Sequence, residues 1–173
     1  VRGGLGYVAI IAALIMASIS GSAVADTAAL GAILIPLMRQ AGYDVPRSAG
    51  LIASGGIIAP IIPPSIGFVV LGVAGGISIT KLFLAGIVPG IMMGAALWAT
   101  WWWCAKKEAP PVLASRFSFS GFLKSLKDGF WALLLPLAII GGMKFGIFTP
   151  TEAAVVAVVY SLIVGWLIYG ELK

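Results

Sequence analysis

The apolar positions of this chain come in long blocks, and the lengths of the blocks carry the first information. A helix that crosses a bilayer needs about 20 apolar residues. Residues 82–104 meet that length and end in Trp101, Trp102 and Trp103, which suits the aromatic belt of a membrane interface. Residues 148–169 meet it too. They open on Thr149, Pro150, Thr151 and Glu152. Thr149 can cap a helix, Pro150 tolerates its first position, and Glu152 completes a capping box. Residues 130–143 are short unless the helix runs on to Gly146.

Two blocks have the wrong length. Residues 5–38 number 34 and carry one charge, Asp26. As one helix they would be about 50 Å long, against a hydrocarbon core of ~30 Å. Two full spans would need about 40 residues plus a loop. Ser20, Gly21 and Ser22 interrupt the block near its middle, so the pattern predicts a re-entrant helical hairpin with its tip inside the membrane. Irregular backbone at that depth is tolerated only where protein buries it or where it lines a cavity. The second misfit is residues 48–76, which hold Ser54, Gly55 and Gly56 and then Pro60, Pro63 and Pro64. Each proline removes a backbone donor and clashes with the preceding turn, so one continuous helix is excluded. The pattern predicts two half-helices parted around residues 55–65.

Composition agrees with the blocks. Of 173 residues, 61% are hydrophobic and 10% charged, where an ordinary soluble domain has about a quarter charged. That excludes a disordered chain, a nucleic-acid binder and a normal water-soluble globule. The chain has one cysteine, Cys104, and no histidine, which removes disulfide frameworks, Cys/His metal centres and histidine acid–base chemistry. Asp26 has no second carboxylate nearby in sequence, so an intramembrane enzyme is disfavoured. Val1 stands first and no basic segment with a small-residue cleavage site follows. The expectation is a piece of a longer membrane protein.

The net charge of +5 reads as a topology signal. With the hairpin returning to its own side, nine of the 11 basic residues share one face of the membrane, and Lys81 and Lys144 lie on the other. The positive-inside rule makes the majority face cytoplasmic. The expected organisation is a hairpin over residues 1–42, a proline-broken helix over 43–78, a span over 79–105, a cytoplasmic linker over 106–129 and two further spans over 130–173. In the linker, Phe119, Phe122, Leu123 and Leu126 recur at helical spacing beside Lys124 and Lys127. This predicts a short amphipathic helix in the interface, or else a solvated connector. Ala109, Pro110 and Pro111 mark a boundary before it.

A hairpin tip and a helix break at membrane depth are the signature of a transporter binding site. Freed carbonyls can coordinate a cation such as sodium, and helix amino ends attract anions. Ser20, Ser22, Ser54 and Ser65 add hydroxyl oxygens. Small residues can also serve close helix packing alone, which accounts for Gly90 and Gly94 but not for the prolines. Asp26 is an ionisable group inside a membrane segment, and so a functional candidate. It lies in the first turns after the tip, where a purely structural hydrogen-bonding role is equally open. Glu152 reads as the capping residue, Lys81 and Lys144 as interfacial anchors, and Met92, Met93 and the tryptophans as lipid or core contacts.

The runs SGSAVADTAALGAILIPLMRQAGYD (20–44), IIAPIIPPSI (57–66) and GIFTPTEAAVVAVVYSLIVG (146–165) resemble the large, DctM-like membrane subunit of TRAP (tripartite ATP-independent periplasmic) transporters. The resemblance covers nearly the whole chain in family order. It implies an all-α integral membrane fold, part of an inverted-repeat elevator transporter. It further implies sodium-coupled uptake of organic acids such as C4-dicarboxylates, keto acids or sialic acids, across a bacterial or archaeal cytoplasmic membrane. The implied partners are a small membrane subunit and a periplasmic binding protein. Carried over residue by residue, the family's first sodium site falls on Ser20, Gly21 and Ser22 at the tip. At the break it falls on Gly55, Gly56, Ile62, Pro63 and Pro64, largely through carbonyls. Asp26, Ser54 and Ser65 are candidate substrate or structural contacts. Ala59 stands where the family has Gly. By this match residues 5–104 are the transport half of a first repeat and residues 115–173 open the second. Two other readings predict different company. Another elevator-type anion/sodium symporter or an arsenite-type permease would work without a binding protein. A membrane scaffold or channel piece would use the breaks only for packing.

Overall fold

A computed structural model describes residues 3–107 and 119–170. Seven α-helices follow one another among the described residues: α1 (Gly4–Ser20), α2 (Ala23–Gln40), α3 (Val45–Gly56), α4 (Ile66–Gly75), α5 (Ile79–Lys107), α6 (Phe119–Lys144) and α7 (Pro150–Ile163). A short π-helical segment, Val164–Ile168, extends α7. The chain divides into two compact units, Val1–Ser115 and Arg116–Lys173. Two helical stretches, Ile79–Lys106 and Leu123–Lys144, are long and apolar enough to cross a membrane.

In the first unit, local chemistry sets each boundary. α1 ends at Gly21, whose left-handed backbone (φ 62°, ψ 15°) turns the chain sharply. Ser22 then caps α2 by accepting the Ala25 amide at 3.4 Å. Asp44 caps α3 by accepting the Arg47 amide at 2.9 Å, with Pro46 tolerated in the first turn. Ser65 caps α4 by accepting the Phe68 amide at 3.3 Å. Only two residues separate α1 from α2, and the two pack together as a helical hairpin. α3 packs against both arms.

The core of this unit joins Ala9, Ile10 and Ala13 of α1, Leu30, Leu34 and Met38 of α2, Leu51 and Ile52 of α3, and Trp101 of α5. Ala9, Ala13 and Ala17 recur every four residues and are all buried. Such a small-residue stripe lets neighbouring backbones approach closely. Opposite it, a methyl group added to Gly55 would come within 2.9 Å of the Ala13 Cβ.

α5 lies alongside α1 and runs the opposite way. Its Trp101 indole donates to the Gly3 carbonyl at 2.9 Å, its Trp98 meets Tyr7 at 4.5 Å between ring centroids, and its Gly94 faces Leu14. Trp101 is buried and stacks on Tyr43, whereas Trp102 and Trp103 are exposed and Lys106 lies 3.6 Å above the Trp102 ring. The tryptophan run therefore divides between a core anchor and an outward pair.

In the second unit, α6 is one helix from Phe119 to Lys144 with Pro136 inside it. The sequence pattern separates an interfacial helix before residue 130 from a span after it; the structure runs them as a single helix. Gly129 alone does not break it, because an isolated glycine costs a helix only about 1 kcal/mol. The boundary expected at residues 109–111 lies outside the described residues. Thr149 and Glu152 form the capping box of α7: the Thr149 amide donates to Glu152 Oε2 at 2.7 Å, and the Glu152 amide donates to Thr149 Oγ1 at 3.3 Å. Tyr160 and Tyr169 donate from their hydroxyls to the Trp131 and Asp128 carbonyls.

Candidate site at the hairpin tip and the helix break

The two interruptions meet. Gly21, at the tip, sits so close to the Pro64 carbonyl oxygen that any side chain there would collide with it, and Ser65 Cα lies 3.1 Å from where a Cβ would be. Gly56, at the end of α3, abuts the Thr27 hydroxyl and lies 3.1 Å, by the same measure, from the Ala23 carbonyl oxygen. The tip and the first turn of α2 therefore touch both flanks of the break. α5 closes the third side, with Gly86 against the Ile61 carbonyl and Gly90 against the Ile62 side chain.

The segment between α3 and α4 is a series of tight turns. The Ile58 and Ala59 amides donate to the Gly55 and Gly56 carbonyls, each at 3.1 Å, and the Ile61 and Ile62 amides both donate to the Ile58 carbonyl. Ser65 donates from its hydroxyl to the Pro60 carbonyl at 2.5 Å, which ties the end of the break to its start. The Pro63–Pro64 peptide is cis, and among the described residues no non-glycine residue has a positive φ. Ala59 therefore needs no left-handed backbone, so an alanine fits where the family has glycine; it is fully buried. Pro63 and Ser65 are buried as well, while Ser54 is exposed on α3.

Ser20 and Asp26 bind the tip together. The Ser20 hydroxyl donates to Asp26 Oδ1 and accepts the Ser22 amide at 3.1 Å. Asp26 is 1% exposed. Its other oxygen, Oδ2, is buried and has no hydrogen-bond partner among the described residues. A buried polar atom without a partner is costly, so this oxygen needs an explanation.

Apart from Ser54, exposed on α3, and Pro63, buried within the break, the candidate residues fall into three groups. Ser20, Gly21, Ser22, Asp26, Pro64 and Ser65 converge at the tip–break contact. Gly55 and Gly56 pack on α1 and α2, and their carbonyls accept the Ile58 and Ala59 amides of the turn. Ile62 packs on α5. Thr27 also belongs to the junction and is not among the residues singled out from the sequence; its place directly after Asp26 in the same helical turn is the signal that points to it. Among the described residues no three His, Cys, Asp or Glu side chains gather. The donors here are carbonyls, hydroxyls and one carboxylate, a hard oxygen set that suits an alkali or alkaline-earth cation.

The family model for the tripartite ATP-independent periplasmic transporter, DctM component, matches residues 1–173. The chain is 59% identical over 170 residues to the 2,3-diketo-L-gulonate TRAP transporter large permease protein of Escherichia coli, covering 98% of this chain and 40% of that protein. It is 45% identical over 170 residues to the sialic acid TRAP transporter permease protein of Haemophilus influenzae, covering 98% of this chain and 27% of that protein. It is 40% identical over 173 residues to the C4-dicarboxylate TRAP transporter large permease protein of Pseudomonas aeruginosa, covering 100% of this chain and 40% of that protein. The chain therefore spans less than half the length of these relatives. The paired breaks, the apolar helices and the match along the whole chain lead to one assignment: the chain belongs to the DctM component family of tripartite ATP-independent periplasmic transporters.

Proposed function

We propose that this chain supplies the first ion-binding half of a TRAP-type large permease subunit, which takes up an organic acid across the bacterial cytoplasmic membrane by coupling to sodium. The observation that carries the reading is the contact of Gly21 with Pro64 and Ser65, which joins two helix interruptions in one place. The relatives' names supply the substrate class, since diketogulonate, sialic acid and C4-dicarboxylates are all organic acids.

α5 serves as a ruler for depth. From Lys81 to Trp101 it rises about 30 Å, the thickness of the hydrocarbon core. The level of Gly86 and Gly90, where α5 meets the break, lies about 17–22 Å from Trp101 by the same rise. With Trp101 and Lys106 near one interface and Lys81 near the other, the tip and the break lie well inside the bilayer, and α1 and α2 form a re-entrant hairpin. Sodium is held there by the carbonyls and hydroxyls of Ser20, Gly21, Ser22, Gly55, Gly56, Ile62, Pro63 and Pro64. The chain crosses the membrane several times and moves with its site as part of an elevator. It works with a small membrane subunit, and a periplasmic binding protein delivers the substrate.

The test is uptake of an organic acid by the full-length carrier, reconstituted with its membrane partner and binding protein, over a range of sodium concentrations. Uptake should rise with sodium, and Ser22→Ala and Pro63→Ala should each raise the half-saturating concentration. Uptake indifferent to sodium would overturn the coupling. An unchanged half-saturation in both folded variants would overturn the site.

A further inference from the structure

We infer that Asp26 is the counter-charge of the cation at the tip–break junction, and that its unpartnered carboxylate oxygen faces the position that cation takes. The inference rests on the sodium reading above and adds to it a residue that carbonyl ligation does not need. Three observations carry it. Asp26 is almost completely buried, in a part of the molecule with no basic side chain among the junction residues. Its Oδ1 is satisfied by the Ser20 hydroxyl, which fixes the orientation of the group. Its Oδ2 is buried and meets no hydrogen-bond partner among the described residues.

An ordinary capping role accounts for only part of this. Ser22 already caps α2, and Ser20 needs one acceptor, which Oδ1 provides. A neutral amide would accept that hydroxyl equally well through its own oxygen and would avoid burying a charge. A carboxylate kept in apolar surroundings is expensive unless a cation or several donors meet it. Here one oxygen meets a single hydroxyl. The neighbouring oxygens at the junction, the carbonyls of Pro64 and Ala23 and the Thr27 hydroxyl, are acceptors that would themselves gain from a cation. A monovalent ion with one carboxylate is electrically neutral, so the loaded junction would carry no net charge at membrane depth.

The decisive variant is Asp26→Asn, which keeps the shape and the oxygen that accepts from Ser20 while removing the charge. Two quantities are measured on the full-length carrier. The first is the sodium concentration that half-saturates uptake. The second, independent of transport, is the rise in melting temperature of the purified carrier on adding sodium in place of choline. The inference expects half-saturation to rise tenfold or more, with maximal uptake recovered at high sodium, and the sodium-induced rise in melting temperature to shrink in parallel. Half-saturation within twofold of the parent and an undiminished thermal response would overturn it. Should Asp26→Asn not fold, Asp26→Ser decides. That smaller variant also removes the charge and keeps an oxygen able to accept from the Ser20 hydroxyl. A tenfold rise in sodium half-saturation with a matching loss of thermal response upholds the counter-charge, and both within twofold of the parent overturn it. A parent carrier with no response to sodium in either measurement refutes the underlying coupling instead, so the two failures are distinguishable.

Discussion

Gly21→Ala is the most direct test of the tip–break contact. Two penalties act at this residue. Its backbone is left-handed, with φ 62° and ψ 15°, a conformation that costs a residue with a Cβ about 1–2 kcal/mol. The new methyl would also overlap the Pro64 carbonyl oxygen. That neighbour is backbone between two turns and cannot swing aside as a side chain would. Forcing an extra methyl into a packed site costs about 1–3 kcal/mol, so the two together come to about 2–5 kcal/mol. That is a large share of the ~5–15 kcal/mol that a folded domain has in total. Gly50→Ala is the control. Gly50 lies inside α3, and a methyl there meets nothing within 4 Å, so alanine should be neutral or stabilise by up to about 1 kcal/mol. The assay is denaturant unfolding of the purified carrier in detergent, followed by tryptophan fluorescence. Gly21→Ala within about 0.5 kcal/mol of Gly50→Ala would show that the tip does not rest on the break, since independent surface-type changes agree to that level.

Two further outcomes are expected. Ser65→Ala removes both the donor to the Pro60 carbonyl and the cap of α4; it should destabilise the carrier by about 1–3 kcal/mol in the same unfolding assay. Trp101→Phe keeps most of the buried ring but removes the indole donor to the Gly3 carbonyl, which still accepts the Gly6 amide; it should cost about 0.5–1.5 kcal/mol, read as a lower melting temperature.

The places where the chain leaves regular helix are the places the sequence marks most clearly. Gly21 between two serines and the three prolines of residues 60–64 allow few backbone solutions, and the structure interrupts its helices there. The capping box at Thr149 and Glu152 is equally legible because it depends on residues three apart. What stays hidden is set by contacts distant in sequence. Nothing near Trp101 distinguishes it from Trp102 and Trp103; only the approach of Gly3, Gly6 and Tyr43 makes it a core residue. Thr27 follows Asp26 in the same helical turn, but it joins the junction only because α3 ends against it. The same holds for Asp26. Its position in a membrane block is visible at once, but that one of its oxygens is paired and the other orphaned emerges only when Ser20 closes over it. The join between residues 119–129 and the span that follows is illegible for the opposite reason. A change in amphipathic character looks like a boundary, yet helix hydrogen bonding continues through it without a cap or a proline.

Gly86, Gly90 and Gly94 stand one turn apart on α5 and face the break and the hairpin in succession. This row has a mechanical consequence. At these levels α5 has no side chains of its own, and the Ile61 carbonyl and the Ile62 and Leu14 side chains press against its backbone, so the contact resists shear. A push along α5 would therefore translate the break and the arm carrying Leu14 without deforming the space between them. It also restricts how the chain can diverge: a larger residue at any of the three glycines must be answered by a change in a different helix. Drift in this stripe should be slow, and it should occur in pairs.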